Sequence, residues 1–395
     1  MRGSRTRRHR TITTALQRLT RDLERLRAEF RYRSLNLPGG VDFTSNDYLG
    51  LSRHPALAEA AREALVTGDA FGAGGSRLLR GHHPDHAELE AFAAEVFAAE
   101  KALYMSTGFV ANYTLFTSLA QRGDAIVFDE YIHASAKEGI HASHARRYKA
   151  RHNDAASFAE AGWRARRRGA RQLWITVESV YSMDGDLAPL CDLVALAEDL
   201  DAILIVDEAH ATGIFGPRGR GLSEGLEGAR LITLHTCGKA LGCAGALVCG
   251  PAVVIDYLIN TARPFIYSTA PPPLVAAVVK RALQLIDAEP WRRERLRERT
   301  EHARACLRAV LGEAQPFPDS QILPVILGGA DRAVGVGGAL QAGGYDVRAI
   351  RPPTVPAGTS RLRLTINALH TDEEIAGLAD CLGRALAAMP EASAA

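Results

Sequence analysis

Cysteine is scarce in this chain and never closely paired. Its six cysteines, Cys191, Cys237, Cys243, Cys249, Cys306 and Cys381, contain no Cys-x-x-Cys, so the usual sequence signal for a zinc ribbon or a thioredoxin-like dithiol is missing. Their small or apolar neighbours suit buried free thiols in a reducing compartment. Net charge is nearly absent as well: 47 Lys and Arg against 45 Asp and Glu leave +2, and no overall field points to nucleic acid. No apolar run approaches the roughly 20 residues that span a bilayer, and no signal-peptide core is recognisable. A cytoplasmic protein with no membrane and no nucleic-acid partner is the expectation. One local excess of charge stands out, Arg2, Arg5, Arg7, Arg8 and Arg10 without an acid. A frayed, solvated terminus accounts for it; a targeting segment or an arm for an acidic partner are the alternatives.

What is present is a long alternation of strand and helix signals. Leu16, Leu19, Leu23, Leu26 and Phe30 recur at helical spacing from Thr14 to about Arg33, which predicts an amphipathic helix lying on something apolar. Strands are expected at Leu103–Met105, Ile126–Asp129, Leu173–Glu178, Ala202–Glu208, Leu231–Leu234 and Gly245–Val248, with helices between several of them. Short runs this uniformly apolar suit strands buried on both faces, hence a mostly parallel α/β sheet. Beyond about Pro271 helical patterns take over. Strand patterns return at Ile322–Leu327, Tyr345–Ile350 and Arg361–Ile366, as in a smaller α+β domain. The expected division is an N-terminal arm and helix over 1–50, a large domain over 51–285 and a small domain over 286–395. Asp85 with Glu88 is the expected capping pair of the helix that buries Leu89, Phe92, Val96 and Phe97. The glycine-rich stretch Phe71–Arg77 lacks the Lys-Ser/Thr ending of a P-loop and reads as a connection that allows close backbone approach.

The chemistry concentrates where strands end. Ligands of open α/β sheets bind outside the carboxyl ends of the strands, and Asp129, Glu178, Asp207 and the turn before Lys239 all fall there. Lys239 sits between glycines and small residues, as an amine offered to a pocket would; a surface lysine in a loop is the alternative. Asp207 follows five apolar residues, and a carboxylate so placed is costly unless a cation meets it. A protonated pyridine nitrogen would be one such cation; a helix cap or a structural ion pair would also serve. His210 and Ser182 can hydrogen-bond a phenolic oxygen, and His133 offers a flat ring. Ser106–Phe109 puts free backbone N–H groups at a helix N-terminus, a setting suited to phosphate. An amine, a carboxylate, a flat ring and a phosphate cradle on one sheet edge together describe a site for pyridoxal phosphate.

The motifs Ser45–Gly50, Gly74–Arg77, Ser182–Asp186, Asp207–Gly213 and Gly238–Ala240 together resemble the α-oxoamine synthases. The similarity runs from about Leu16 to the last helix. It implies a fold-type I pyridoxal-phosphate transferase, aspartate-aminotransferase-like, with a mostly parallel seven-stranded sheet, a smaller C-terminal domain and a homodimer with shared sites. Ile266–Ala270 and Ile350–Thr359 are most similar to the member that joins L-alanine to a pimeloyl thioester, carried on coenzyme A or acyl carrier protein. Members using glycine or serine with acetyl, succinyl or palmitoyl thioesters are the alternatives, and a non-catalytic protein that kept the fold is a third. Carried over by position, Lys239 would hold the cofactor and move the substrate α-proton, and Asp207 would pair with the ring nitrogen. His133 would stack on the ring, and His210 and Ser182 would reach its oxygen. Gly108, Phe109 and Thr236 would hold the phosphate, joined by Ser268 and Thr269 from the neighbouring subunit. Asn46 and Arg351 would bind the substrate carboxylate, and Arg31 and Thr354 the acyl substrate; no metal is implied. His235 and the Tyr131–Ile132 pair depart from the family pattern, and His235 with Cys237 is expected to crowd the lysine.

Overall fold

The computed structural model describes residues 3–66, 71–226, 230–312 and 316–389, the side chains of residues 3–14 excepted. The arginine cluster at the N-terminus therefore lies outside the described side chains. Twelve strands are numbered in chain order. A two-residue strand β1 (Val41–Asp42) precedes the main series β2 (Lys101–Met105), β3 (Ala125–Asp129), β4 (Arg146–Ala150), β5 (Leu173–Glu178), β6 (Ala202–Asp207), β7 (Arg230–Thr236) and β8 (Ala246–Gly250). β9 (Ile322–Gly328), β10 (Tyr345–Asp346), β11 (Ala349–Ile350) and β12 (Ser360–Thr365) follow.

The main sheet has seven strands in the order β2-β8-β7-β6-β5-β3-β4. β8 runs against both of its neighbours and the other pairings are parallel. The starts of β3 to β7 therefore share one edge and their carboxyl ends the other. β3 and β5 are buried at every position, as helices on both faces of a parallel sheet require. Each Ile, Val or Leu withdrawn from water there contributes about 1.5–3 kcal/mol.

β4 departs from expectation. Its sequence Arg146-Arg147-Tyr148-Lys149-Ala150 carries no apolar run, yet it pairs with β3 along its length and buries only Tyr148 and Ala150 on its inner face. An edge strand with charged outer positions protects itself from further pairing.

The smaller sheet, β11-β12-β9, is antiparallel and leans against the helix Ala330–Ala342. The run Tyr345–Ile350 is two strands, since β10 pairs with β1 while β11 joins β12. These pairings stitch the early segment 41–50 to the small sheet. Phe43 N–H donates to Asp346 O at 3.1 Å, Thr365 N–H to Phe43 O at 3.0 Å and Ala368 N–H to Tyr48 O at 2.8 Å. Asn46 and Tyr48 are thereby fixed between the two sheets.

The first helix spans Gly3–Ala28, earlier than the expected Thr14–Arg33, and the chain breaks from it at Phe30 with φ 54°. Leu16, Leu19 and Leu23 are exposed, so the apolar support predicted for this helix is not supplied by the described residues of its own chain. The helix Pro84–Val96 is capped by His83 and His86, not by Asp85 and Glu88: the His83 ring accepts from Asp85 N–H, and His86 reaches back to His83 N–H. Among the described residues no helix is long and apolar enough to cross a membrane, and no cluster of His, Cys, Asp and Glu could hold a metal.

Candidate active site at the carboxyl edge of the sheet

A cavity of about 380 Å³ opens where β2, β3, β5, β6 and β7 end. Lys239, Asp207, His133, Gly108, Phe109, Thr236 and Asn46 all line it. Lys239 follows β7 in a tight turn that Gly242, at φ 64°, closes against the backbone of Leu51 and Ser52. Removal from water draws the Lys239 amine down to about 8, although Asp207 and Glu178 oppose the shift. Burial pushes Glu178 up to about 8, with Asp207 adding to the effect.

One chain of hydrogen bonds starts at the lysine. Lys239 Nζ lies 2.8 Å from His210 Nε2, His210 Nδ1 lies 2.7 Å from the Tyr48 hydroxyl, and Tyr48 donates to Asn46 Oδ1 at 2.9 Å. Burial holds His210 well below the ordinary imidazole range, with the cations Lys239 and Arg363 adding to it. With His210 neutral, a charged lysine makes Nε2 the acceptor and leaves the ring proton on Nδ1 for Tyr48. A second chain runs from the carboxylate. Asn112 donates to Asp207 Oδ2 at 2.7 Å and to Ser135 Oγ at 3.0 Å, and Ser135 Oγ lies 2.7 Å from His133 Nδ1. Asp207 Oδ1 accepts from Ala209 N–H at 3.0 Å. The flat ring and the carboxylate are thus held by one network.

The cradle is made by the turn from β2 into the helix Gly108–Leu119. Thr107 caps that helix, accepting from Val110 N–H at 3.1 Å. Any side chain at Gly108 would meet Thr236 Cγ2 at 2.5 Å, so the helix N-terminus and the Thr236 side chain share one concavity. A cofactor with an aldehyde, a basic ring nitrogen and a phosphate fits this donor set. Lys239 would meet the aldehyde, Asp207 the ring nitrogen, and the N-terminal N–H groups with Thr236 the phosphate.

Other expected site residues lie apart. Ser182 is buried; its N–H donates to Glu178 Oε2 at 3.1 Å and its carbonyl accepts from Arg363. Ser268 and Thr269 line a separate small cavity with Arg77, Tyr104 and Ser106. Arg77 is pinned there by a two-pronged bond to Glu90, at 3.0 and 2.8 Å. Arg31 donates to Pro352 O at 3.1 Å and to Glu29 at 2.7 Å, and Arg351 to the carbonyl of Phe30. Thr354 lines a groove of about 610 Å³ that meets the cofactor cavity at His133. Arg351 is thus held among Arg31 and the loop 350–356, away from Asn46.

Arg363 was not anticipated and occupies the place expected of Arg351. It is 8 % exposed and donates to Asn46 Oδ1 at 3.1 Å and to the Tyr48 oxygen at 3.2 Å. The signal in the sequence was Arg361-Leu362-Arg363 inside a strand, since a strand arginine that turns inward needs an anion. Arg361 finds Asp184; among the described residues Arg363 meets only neutral oxygens. Asn112 was equally unannounced, one of several polar residues on the helix Gly108–Leu119.

His235 does not crowd the lysine. Side chains alternate along β7, so Thr236 faces the cavity while His235 points to the other side. There it stacks on Phe97, ring centroids 3.6 Å apart, and bonds Thr212 and Thr233, each at 2.8 Å. Cys237 is fully buried in the core.

A family model for aminotransferase class I and II matches residues 38–382. The chain belongs to this family and is a pyridoxal-phosphate-dependent enzyme. It is 42% identical over 368 residues to a putative 8-amino-7-oxononanoate synthase of Geobacillus kaustophilus strain HTA426, covering 92% of this chain and 93% of that protein. To the 8-amino-7-oxononanoate synthase of Methylococcus capsulatus it is 43% identical over 349 residues, 88% of this chain and 89% of that one. Among solved structures, the S. paucimobilis serine palmitoyltransferase is similar at TM-score 0.86 and 29% identity, over 95% of this chain and 98% of that one. The 8-amino-7-oxononanoate synthase of Francisella tularensis is similar at TM-score 0.76 and 27% identity, over 88% and 98%. The resemblance to α-oxoamine synthases, the fold class and the cofactor are all borne out.

Proposed function

We propose that this enzyme condenses L-alanine with a pimeloyl thioester, with loss of carbon dioxide, to give 8-amino-7-oxononanoate, a step of biotin biosynthesis. The product named by the relatives divides accordingly. Its first seven carbons, ending in the ketone, are a pimeloyl group, and the amine-bearing carbon with its methyl is alanine without its carboxyl. The observation that carries the reading is the site itself: Lys239 bonded to His210 and facing Asp207, beside an arginine able to take a carboxylate.

Bound pyridoxal phosphate supplies an aldehyde that captures the amino group and a protonated ring that accepts the electrons left by the departing α-proton or carboxyl. The chain does the rest. Lys239, with its amine near 8, has a neutral fraction at physiological pH and can take the α-proton as a base. Asp207, held by Asn112 and Ala209, keeps the ring nitrogen protonated. Arg363 with Asn46 binds the alanine carboxylate, a task matched to the rigid guanidinium fork. His133 would cover the ring, Ser182 would reach its oxygen from the adjoining groove, and Gly108, Phe109 and Thr236 would hold the phosphate. The groove carrying Thr354, with Arg31 and Arg351 behind its loop, receives the acyl thioester. The working unit is a homodimer, in which Ser268 and Thr269 complete the partner's phosphate site and the exposed Leu16, Leu19 and Leu23 find apolar cover.

A panel crossing alanine, glycine and serine with pimeloyl, acetyl, succinyl and palmitoyl thioesters tests the reaction, run on both carriers. Fastest turnover is expected with alanine and pimeloyl. Fastest turnover with glycine and acetyl-CoA would overturn the assignment.

A further inference from the structure

The groove that leaves the cofactor cavity at His133 runs past Tyr131, Tyr181 and Val355. Most charged side chains along it are already answered. Arg33 is solvated at the surface and donates to the neutral Thr354 hydroxyl at 3.4 Å, Lys149 pairs with Glu130 at 3.5 Å, and Asp184 pairs with Arg361. Lys137 is the exception: half-buried in the groove wall, its ammonium has neither a hydrogen bond nor an ion pair with any described residue. The two acids whose fields reach it most strongly, Glu178 and Asp129, form no ion pair with it. Asp129 is taken by His152 at 2.9 Å and by the N–H groups of Tyr131 and Asn153. Glu178 is buried, which disfavours its charge, and accepts from Ser182 N–H at 3.1 Å. A half-buried ammonium with no counter-charge on a groove wall asks for an anionic ligand.

Position says which anion. His133 caps the helix Ala134–Ala142 and stands at the junction of cavity and groove. Lys137 is four residues on, on the same face and about 6 Å further along the axis. An acyl chain whose reacting carbonyl lies beside His133 passes the aromatic and aliphatic wall before it meets Lys137. We propose that Lys137 receives the far carboxylate of the acyl chain, the group that becomes C1 of 8-amino-7-oxononanoate, and so selects dicarboxylic over monocarboxylic acyl thioesters. This rests on the reading above and adds the residue that sets its acyl specificity.

The test compares pimeloyl-CoA with heptanoyl-CoA, which differ in that carboxylate, on the holoenzyme and on Lys137→Met and Lys137→Arg. Losing one charged contact is expected to raise KM for pimeloyl-CoA about tenfold in Lys137→Met, with kcat and the KM for heptanoyl-CoA unchanged. Lys137→Arg should restore most of the discrimination. Equal rises in both KM values would make Lys137 a structural residue and overturn the proposal, as would an unchanged preference in an active Lys137→Met. A rise that disappears when pantetheine replaces coenzyme A would assign the anion to the carrier phosphates, which also overturns it. The functional reading fails separately, by absence of turnover of L-alanine and pimeloyl-CoA in the unaltered enzyme.

Discussion

Two arginines compete for the substrate carboxylate, and exchanging each for methionine separates them. Arg363 is buried beside Asn46 and Tyr48 at 3.1 and 3.2 Å, whereas Arg351 is engaged by the carbonyl of Phe30. A hydrogen bond from a cation to a carboxylate contributes about 1.5–3 kcal/mol, and each 1.4 kcal/mol is about a factor of ten. Arg363→Met should therefore raise KM for L-alanine roughly 10- to 100-fold, at saturating thioester. Some stability is lost too, because Asn46, Tyr48 and the Ser182 carbonyl each lose a buried donor, so a melting curve must accompany the kinetics. Arg351→Met should leave the alanine KM unchanged and alter only the thioester KM. The reasoning is refuted if Arg351→Met raises the alanine KM while a folded Arg363→Met does not.

Three further outcomes follow from the same geometry. Because burial lowers Lys239 to about 8, its neutral, aldehyde-capturing form gains with rising pH. Uptake of pyridoxal phosphate by the cofactor-free chain should accelerate through about pH 8 and level off above it; a plateau reached only near pH 10.5, the ordinary value for lysine, would contradict the shift. Gly108→Ala places a methyl against Thr236 Cγ2 and should weaken cofactor binding, measured by equilibrium titration; adding Thr236→Ser, which removes that methyl and keeps the hydroxyl, should recover much of the loss. His235→Ala should cost on the order of 3 kcal/mol of stability in denaturant unfolding, since it removes the ring stacked on Phe97. Activity per folded molecule should be retained, and selective loss of activity would put His235 back at the site.

Much of the site was legible because its residues sit at the ends of apolar strands, where an abrupt polar residue is conspicuous. Asp207 after Ile203-Leu204-Ile205-Val206 and Lys239 after β7 are of this kind. Residues that depend on pairing across distant segments were not. Arg363 gains its meaning only when β12 is brought beside Asn46 and Tyr48, more than 300 positions earlier in the chain. Asn112 looks like an ordinary helix residue until β6 delivers Asp207 to it. β4 escaped notice because an edge strand needs only one buried face, and two inward residues in five make no apolar run. His235 was misplaced for a related reason: alternation along β7 decides which neighbour of Thr236 faces the cofactor, and crowding in sequence is not crowding in space.

The central claim is a condensation in which alanine loses its carboxyl group. L-alanine labelled at that carboxyl, mixed with pimeloyl-CoA and the purified enzyme, measures it directly. Labelled carbon dioxide is expected in equal amount to the free thiol released, with 8-amino-7-oxononanoate unlabelled. Thiol release with the label retained in the amino-acid product would contradict it.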